Sequence, residues 1–249
     1  MSVLTLVRHG QASAFQKDSD RLTEPGELQA RKLAGFWLKN GVRFDECYTG
    51  TLVRQTRTER IVAASYAEAG APWPMATALP GFNEYDATGV LANVVPALAA
   101  RDERFAALVE AFEKARDRPD RNRPFQRMFE IAMLAWVRGE VNVAGVEPWP
   151  AFRARVGEAL QRAMAGGASR RVVVFTSGGP IGLSVQISMK APDAMFLEVN
   201  WRIRNCSLTE FMFTSERFTL DSFNGVPHLD DQALWTYRRS VSPTEIDCC

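Results

Sequence analysis

Apolar and polar positions along the chain predict a small set of buried strands. The run Val-Leu-Thr-Leu-Val predicts a strand over residues 3–8, and Val-Val-Val-Phe predicts a buried strand over 170–176. Residues 43–48 indicate a second strand. Alternating stretches at 208–213 and 218–223 predict a final pair of strands with a turn between them.

The segments between these strands carry helical periodicity. In the first of them, Thr23 is a candidate N-cap, Pro25 suits a first helical turn, and Gly41 closes the helix. A loop with three prolines is predicted over 72–80. The pattern predicts the other helices at 52–69, 91–99, 104–115, 125–137, 150–165 and about 178–189.

Strands that alternate with helices predict the fold class. We expect an α/β protein, a three-layer α/β/α sandwich whose central sheet is largely parallel and carries helices on both faces. The 249 residues suit one domain over 1–249, with a helical insertion or cap at about 85–147. Within it, residues 116–127 hold five arginines against two aspartates. This stretch is either a solvated loop or a lid for an anionic substrate.

Composition excludes several classes of partner. The net charge of +1 favours neither nucleic acid nor an anionic membrane surface. No apolar run reaches ~18 residues, and the N-terminus lacks the pattern of a signal peptide, so we expect a cytoplasmic protein.

Cysteine and histidine usage predicts neither a metal site nor a cofactor. The chain has four cysteines and only two histidines, and no cysteine pair has zinc-ligand spacing. Cys47 and Cys206 lie in apolar, strand-like stretches and are expected to be buried thiols, whereas Cys248 and Cys249 end the chain.

Candidate chemistry begins where the first strand ends. Arg8 supplies a permanent bidentate anion donor, and His9 supplies a nucleophile or base that titrates near neutrality. Gly10 lets the backbone approach a ligand closely. Because ligands bind at the carboxyl ends of the strands in open α/β sheets, these residues predict a site for an anionic ligand.

Arg8-His9-Gly10 resembles the signature of the histidine phosphatase superfamily, also called the phosphoglycerate mutase-like family. Leu22-Thr23 with Gly26 and Gln29-Ala30 is similar to a second family stretch, and Arg54 follows a turn similar to the family's Ser-Pro-Leu-x-Arg. The resemblance covers most of residues 3–84, thins over 85–145 and returns at 150–183 and near 224–229.

The resemblance implies a role for each matching residue. His9 is then the nucleophile that takes the phosphoryl group as a phosphohistidine, Arg8 and Arg54 clamp that group, and Glu84 is the acid that protonates the leaving oxygen. Asp86 competes with Glu84 for the last role. Electrostatic positioning of this kind needs no metal. The resemblance implies a small phosphorylated substrate or phosphate as the partner, and the sequence does not discriminate among a sugar phosphate, a nucleotide, a phosphoprotein and a small organic phosphate.

The chain departs from the family in two places. Ser177 stands where a second histidine is expected, and Phe15 stands where the family often has asparagine. A serine brings no positive charge, so the loss is ~2–4 kcal/mol of transition-state stabilisation, roughly a 30- to 1000-fold slower step. Ser177 is either a helix N-cap or a phosphate contact.

Other donors remain near the phosphate. Gln11 and Ser13 are candidate phosphate contacts from the first loop, and the amides of Gly178 and Gly179 form a candidate anion nest. His228, the other histidine, is expected to be structural.

Two functions therefore stay open. The first is a metal-independent phosphatase that hydrolyses a phosphomonoester through His9. The second is a catalytically impaired protein that binds a phosphoryl ligand or regulates on the same scaffold. A homodimer also stays open, because several aromatic residues suit either the core or an interface. They are Trp149, Phe196, Trp201 and Trp235.

Overall fold

A computed structural model describes residues 1–13, 20–115 and 122–237. The strands are β1 (Ser2–Arg8), β2 (Glu46–Thr49), β3 (Ala76–Ala78), β4 (Arg171–Thr176), β5 (Leu208–Phe213) and β6 (Phe218–Gly225). The helices are α1 (Glu24–Lys39), α2 (Val53–Glu68), α3 (Ala87–Ala99), α4 (Glu103–Ala115), α5 (Asn122–Val137), α6 (Trp149–Met164), α7 (Gly178–Ser188) and α8 (Met195–Asn200). Short 3-10 turns lie at Pro80–Phe82 and Gln232–Leu234.

One mixed sheet joins the described strands in the order β3-β2-β4-β1-β5-β6. The pairs β3–β2, β2–β4 and β4–β1 are parallel, whereas β5 and β6 add to the β1 edge as antiparallel strands. The expected largely parallel α/β sheet is therefore confirmed. At its centre, the register of β1 on β4 places Arg8 opposite Thr176.

Alternating side chains along the central strands divide the core between the two faces of the sheet. Leu4 and Leu6 of β1 join a cluster with residues of α6 and α7, whereas Val7 joins a second cluster with residues of α1 and α2. Since neighbouring strand residues point to opposite faces, this division places helices on both sides of the sheet.

Two elements were not predicted from the pattern. The segment predicted as a loop over 72–80 contains β3, a three-residue strand whose partner is β2. The β3 strand carries no alternating pattern, and only its pairing with β2 defines it. The six-residue helix α8 was also not predicted, and it packs against α7.

Capping explains a helix boundary that differs from expectation. Helix α3 begins at Ala87, four residues before the predicted start, because the Asp86 side chain accepts a hydrogen bond from the Gly89 amide at 2.8 Å. At α1 the predicted cap is confirmed, since the Thr23 hydroxyl accepts from the Gly26 amide at 3.2 Å.

Helices α3, α4 and α5 occupy the stretch expected to form an insertion. They pack on one another, and their apolar side chains join the cluster that includes Leu4 and Leu6. Of the arginine-rich stretch, residues 116–121 lie outside the described residues. Across the described part of the chain, no helix is long and apolar enough to cross a membrane.

The aromatic residues that suited a core or an interface divide between these settings. Trp149 and Phe196 are buried in the core, Trp201 is half-buried against it, and Trp235 is 37% exposed. Of these four residues, only Trp235 and, in part, Trp201 are exposed enough to contact a partner chain.

The predicted burial is confirmed for both cysteines, and the predicted strand is confirmed for Cys47, which lies in β2. Cys47 and Cys206 are both buried free thiols. Cys206 lies in a turn with a φ of 57°, so its predicted strand is wrong. Phe15, Cys248 and Cys249 lie outside the described residues.

Two glycines set how closely the loop after β1 approaches α1. A Cβ atom on Gly26 would overlap the carbonyl oxygen of Gln11, and one on Gly10 would overlap the carbonyl oxygen of Gly26. The loop that carries His9 therefore rests on the first turn of α1 at a distance that only glycine permits.

We expect Gly26→Ala to destabilise the protein, although alanine is the better helix former. The methyl group forces the backbone of the loop away from α1, at a cost of about 1–3 kcal/mol. The matched control is Gly35→Ala in the same helix, where a Cβ would meet nothing within 4 Å. That variant should be more stable by about 0.5–1 kcal/mol. Chemical denaturation measures both, and equal shifts in the two variants would contradict the close approach.

Candidate active site

The end of β1 places His9 beside the end of β4. The His9 amide donates to the Thr176 carbonyl at 2.9 Å, which continues the parallel ladder by one residue. The turn from β4 into α7 therefore starts next to the imidazole. The His9 backbone is also held by Asn205, whose Nδ2 donates to the His9 carbonyl at 3.3 Å.

The imidazole of His9 has a defined tautomer. Its Nδ1 lies 2.7 Å from the Gly10 carbonyl oxygen, and because a carbonyl only accepts, the proton resides on Nδ1. The Nε2 atom then carries the lone pair, and it accepts a hydrogen bond from Arg54 Nε at 3.2 Å. A histidine held in this way presents a nucleophilic nitrogen beside a permanent cation.

Burial and positive charge together keep His9 neutral. Its exposure is 6%, and desolvation is the largest influence that holds the pKa of His9 well below its usual value. The charges of Arg54 and Arg8 lower this pKa further, while the Gly10 carbonyl raises it. An unprotonated imidazole at neutral pH is the form that attacks an electrophile.

Arg54 lies in the first turn of α2 and is oriented by two residues. The Asp20 carboxylate lies 2.7 Å from Arg54 Nη1 as an ion pair. The Thr58 hydroxyl donates to the Arg54 carbonyl at 2.7 Å and accepts from the Gly10 amide at 3.1 Å, which ties α2 to the loop after His9. Sequence reasoning missed Asp20 and Thr58, because neither lies near His9 along the chain.

Arg8 and the first-loop residues take different positions. Arg8 is 7% exposed, and its Nη1 donates to the Ile203 carbonyl. The Gln11 Oε1 atom accepts from the Thr23 hydroxyl at 2.9 Å, which leaves its Nε2 as the side-chain donor. The Ser13 amide donates to the Arg21 carbonyl at 3.0 Å. Backbone hydrogen bonds thus pair the segment of Gln11 and Ser13 with residues 21–23, which lead into α1.

Ser177 occupies the N-cap position of α7 without acting as a side-chain cap. Its hydroxyl makes no capping bond and instead accepts from Gln55 Nε2 at 2.8 Å, so the capping interpretation is wrong for the side chain. The same Gln55 amide group donates to the Phe82 carbonyl at 2.9 Å. Both side chains are fully buried. Gln55 thus fills the space beside Ser177, where the resemblance leads us to expect a histidine.

Glu84 reaches the start of α7, and its competitor Asp86 does not. Glu84 Oε1 accepts from the Gly179 amide at 2.9 Å, whereas exposed Asp86 caps α3. One of the two amides expected to form an anion nest therefore bonds a carboxylate. The other glycine, Gly178, lies against Asn200, whose Oδ1 would be 2.7 Å from a Cβ at that position.

Arg155 of α6 fixes the loop that carries Glu84. Its Nη1 donates to the carbonyls of Gly81 and Asn83 at 2.9 and 2.8 Å, and its Nη2 donates to the carbonyl of Glu84 at 3.2 Å. Glu147 pairs with the same guanidinium at 2.6 Å. Since an arginine that spans three carbonyls leaves the loop little freedom, the Glu84 side chain starts from a fixed backbone.

His228 lies in a separate environment. It is 6% exposed, its ring packs near Phe36 of α1, and burial is the main cause that lowers its pKa to about 4. These surroundings are those of a neutral core histidine, as expected from the sequence.

A family model of the histidine phosphatase superfamily (branch 1) matches residues 4–120 and 118–225. The chain belongs to the histidine phosphatase superfamily. The match includes all of the residues predicted for the site, from Arg8 to Gly178. A search of curated protein sequences found no match.

Solved structures of this superfamily share the fold at low sequence identity. The putative alpha-ribazole-5'-P phosphatase of Escherichia coli superposes with a TM-score of 0.61 at 17% identity, over 90% of this chain and 97% of that one. A phosphoserine phosphatase from Entamoeba histolytica gives 0.59 at 18% identity, over 92% and 100%. The phosphoglycerate mutase of Bacillus anthracis gives 0.61 at 15% identity, over 92% and 95%.

Potential metal ligands do not cluster in the described ranges. No group of three or more His, Cys, Asp or Glu side chains there lies close enough to hold a metal ion.

We expect the Arg54→Gln substitution to raise the pKa of His9 toward its usual value, because it removes the positive charge with the larger effect of the two that oppose protonation. A titration of the imidazole resonances by NMR measures the change, and His228→Gln assigns the two histidines. Arg57→Gln is the control, since exposed Arg57 pairs with Glu27 instead. An unchanged pKa in the Arg54 variant would contradict the proposed charge coupling.

Proposed function

We propose that this histidine phosphatase superfamily member is a metal-independent phosphomonoesterase that uses His9 as a covalent nucleophile. The observation that carries the proposal is the imidazole itself. Its Nδ1 proton is held by the Gly10 carbonyl, and its Nε2 lone pair faces the Arg54 guanidinium. A nucleophilic nitrogen and a fixed cation thus meet at one point, as phosphoryl transfer requires.

In the first step, His9 Nε2 attacks phosphorus and the bond to the leaving oxygen breaks. The Gly10 carbonyl stabilises the positive charge that develops on the ring, because it already accepts the Nδ1 proton. Arg54 and Arg8 neutralise the charge on the equatorial phosphoryl oxygens. Before His9 attacks, the hydrogen bond that Arg54 Nε donates to His9 Nε2 must be replaced by one to a phosphoryl oxygen, which frees the Nε2 lone pair.

Proton transfer to the leaving oxygen is assigned to Glu84. Its carboxyl group lies at the N-terminus of α7, on a loop that Arg155 holds. In the second step, water attacks the phosphohistidine, Glu84 accepts its proton, and His9 leaves as a neutral imidazole. Ser177, Gly178, Gln11 and Ser13 are proposed as neutral donors to the phosphoryl group.

The substrate is proposed to be a small phosphate ester. This agrees with the names of two similar structures, which are phosphatases of alpha-ribazole-5'-P and of phosphoserine. A cytoplasmic location, the lack of nucleic-acid and membrane partners, and a homodimer stay predictions.

The second candidate function is phosphoryl-ligand binding with impaired catalysis. It is favoured by one observation, the contact between the Gln55 amide and the Ser177 hydroxyl at 2.8 Å. A neutral pair stands there in place of a charged imidazole. Hydrogen bonds from charged donors are roughly twice as strong as those from neutral donors. In this candidate function, the site therefore still binds a phosphoryl group but stabilises the transition state for its transfer less.

We expect His9→Ala to abolish hydrolysis of an aryl phosphate between pH ~5 and 8 with chelator present, because no other described side chain in the site offers this nucleophile. His228→Gln is the matched control, since it removes the other histidine and should retain turnover. Full turnover in the His9 variant would contradict a phosphohistidine. If the wild type shows no turnover but gains thermal stability with phosphate, the binding function is favoured.

We also expect Ser177→His to raise turnover by roughly tenfold or more only when Gln55 is shortened in the same protein. In the single variant the imidazole would collide with the Gln55 amide. The Gln55→Ala/Ser177→His double variant makes room for it. Gln55→Ala alone is the control, and kcat for an aryl phosphate is the measurement. No gain in the double variant would show that the missing charge does not limit the reaction.

A further inference from the structure

Asp20 places a carboxylate on the same donors that an anionic ligand would use. Its Oδ1 lies 2.7 Å from Arg54 Nη1 and 3.3 Å from the Arg54 amide, and its Oδ2 accepts from the Val53 amide at 2.6 Å. One carboxylate thus bonds both the guanidinium and two amides at the start of α2.

These donors form an anion-binding arrangement. The first amides of a helix have no intrahelical partner, and the helix dipole adds positive potential there. Leu52, at the N-cap position of α2, has no side-chain oxygen to satisfy them. The guanidinium beside them is the one that donates to His9 Nε2 at 3.2 Å. Arg54 therefore contacts both Asp20 and the proposed nucleophile, His9.

We propose that Asp20 is an internal competitor for the phosphate site, and that its carboxylate and a phosphoryl oxygen compete for Arg54. The inference rests on the proposed function, because it assumes that phosphate binds at Arg54. Two effects follow from the negative charge. Asp20 holds a guanidinium donor that phosphate would otherwise receive, and it repels a dianion bound nearby. Asp20 thereby sets the affinity of the site for dianionic phosphate.

The ion pair is accessible to exchange. The Arg54 side chain is 19% exposed and the Asp20 side chain is 34% exposed, so neither partner is sealed in the core. Exchange keeps the guanidinium paired, because the incoming phosphate replaces the carboxylate on it, and the released Asp20 carboxylate is exposed enough to be solvated. A purely structural cap would instead keep its bonds to the α2 amides and leave phosphate affinity unchanged.

The test compares the dissociation constant of inorganic phosphate for the wild type and for two neutral variants, by calorimetry. Asp20→Asn keeps the shape of the side chain, and Asp20→Ser keeps an oxygen that can cap α2. We expect both to bind phosphate about tenfold more tightly, as expected when a nearby like charge is removed. Asp230→Asn is the matched control, because that exposed carboxylate pairs with Lys32 at 2.6 Å. Thermal unfolding verifies that each variant is folded.

The outcomes separate this inference from the proposed function. Tighter phosphate binding in both Asp20 variants, without a change in the Asp230 control, supports competition whether or not the protein hydrolyses an ester. Unchanged or weaker binding overturns it, even when the wild type shows turnover that depends on His9. If no variant binds phosphate, both the competition and the phosphate site at Arg54 are wrong.

Discussion

The parallel pairing of β1 with β4 is the constraint on which the site depends. It sets Arg8 opposite Thr176, so the turns that follow both strands leave the sheet side by side. Two contacts of the candidate site depend on this arrangement of the turns. Helix α7 starts beside His9, and the loop with Glu84 reaches the first amides of that helix. A shift of one residue would turn the alternating side chains to the wrong faces, so both halves of the core hold the register that the site needs.

Charge in the site is balanced across several elements. Two arginines and burial keep His9 unprotonated, which suits a nucleophile but places positive charge in a poorly solvated region. Asp20 balances Arg54 directly, and Glu84 accepts from the helix that starts beside His9. In the proposed function, these two carboxylates affect phosphate binding and proton transfer.

The Gln55–Ser177 contact joins the start of α7 to α2 through two fully buried side chains. The Ser177 hydroxyl does not stand alone, since a buried glutamine donates to it from the neighbouring helix. The two residues lie 122 positions apart in the sequence, so no local pattern links them. Because of this contact, we expect the effect of a single substitution at Ser177 to depend on Gln55.

The sequence by itself determined the elements whose signal is local. Alternation identified β1 and the β5–β6 pair, a continuous apolar run identified β4, and helical periodicity with caps such as Thr23 identified most helices. Arg8-His9-Gly10 predicted a candidate site, because the chemistry of three adjacent residue types at a strand end can be recognised from the sequence. The family model then confirmed the resemblance over most of the chain.

Tertiary structure alone decided what depends on distant partners. The β3 strand exists through its pairing with β2, and the Ser177 hydroxyl bonds Gln55 where the pattern suggested a helix cap. Asp20 lies 34 residues from Arg54, and nothing in its local sequence marks it as part of the site. Hydrogen bonds and ion pairs between distant residues depend on how the backbone brings elements together. Local pattern therefore predicts where chemistry is available, and packing decides which groups meet.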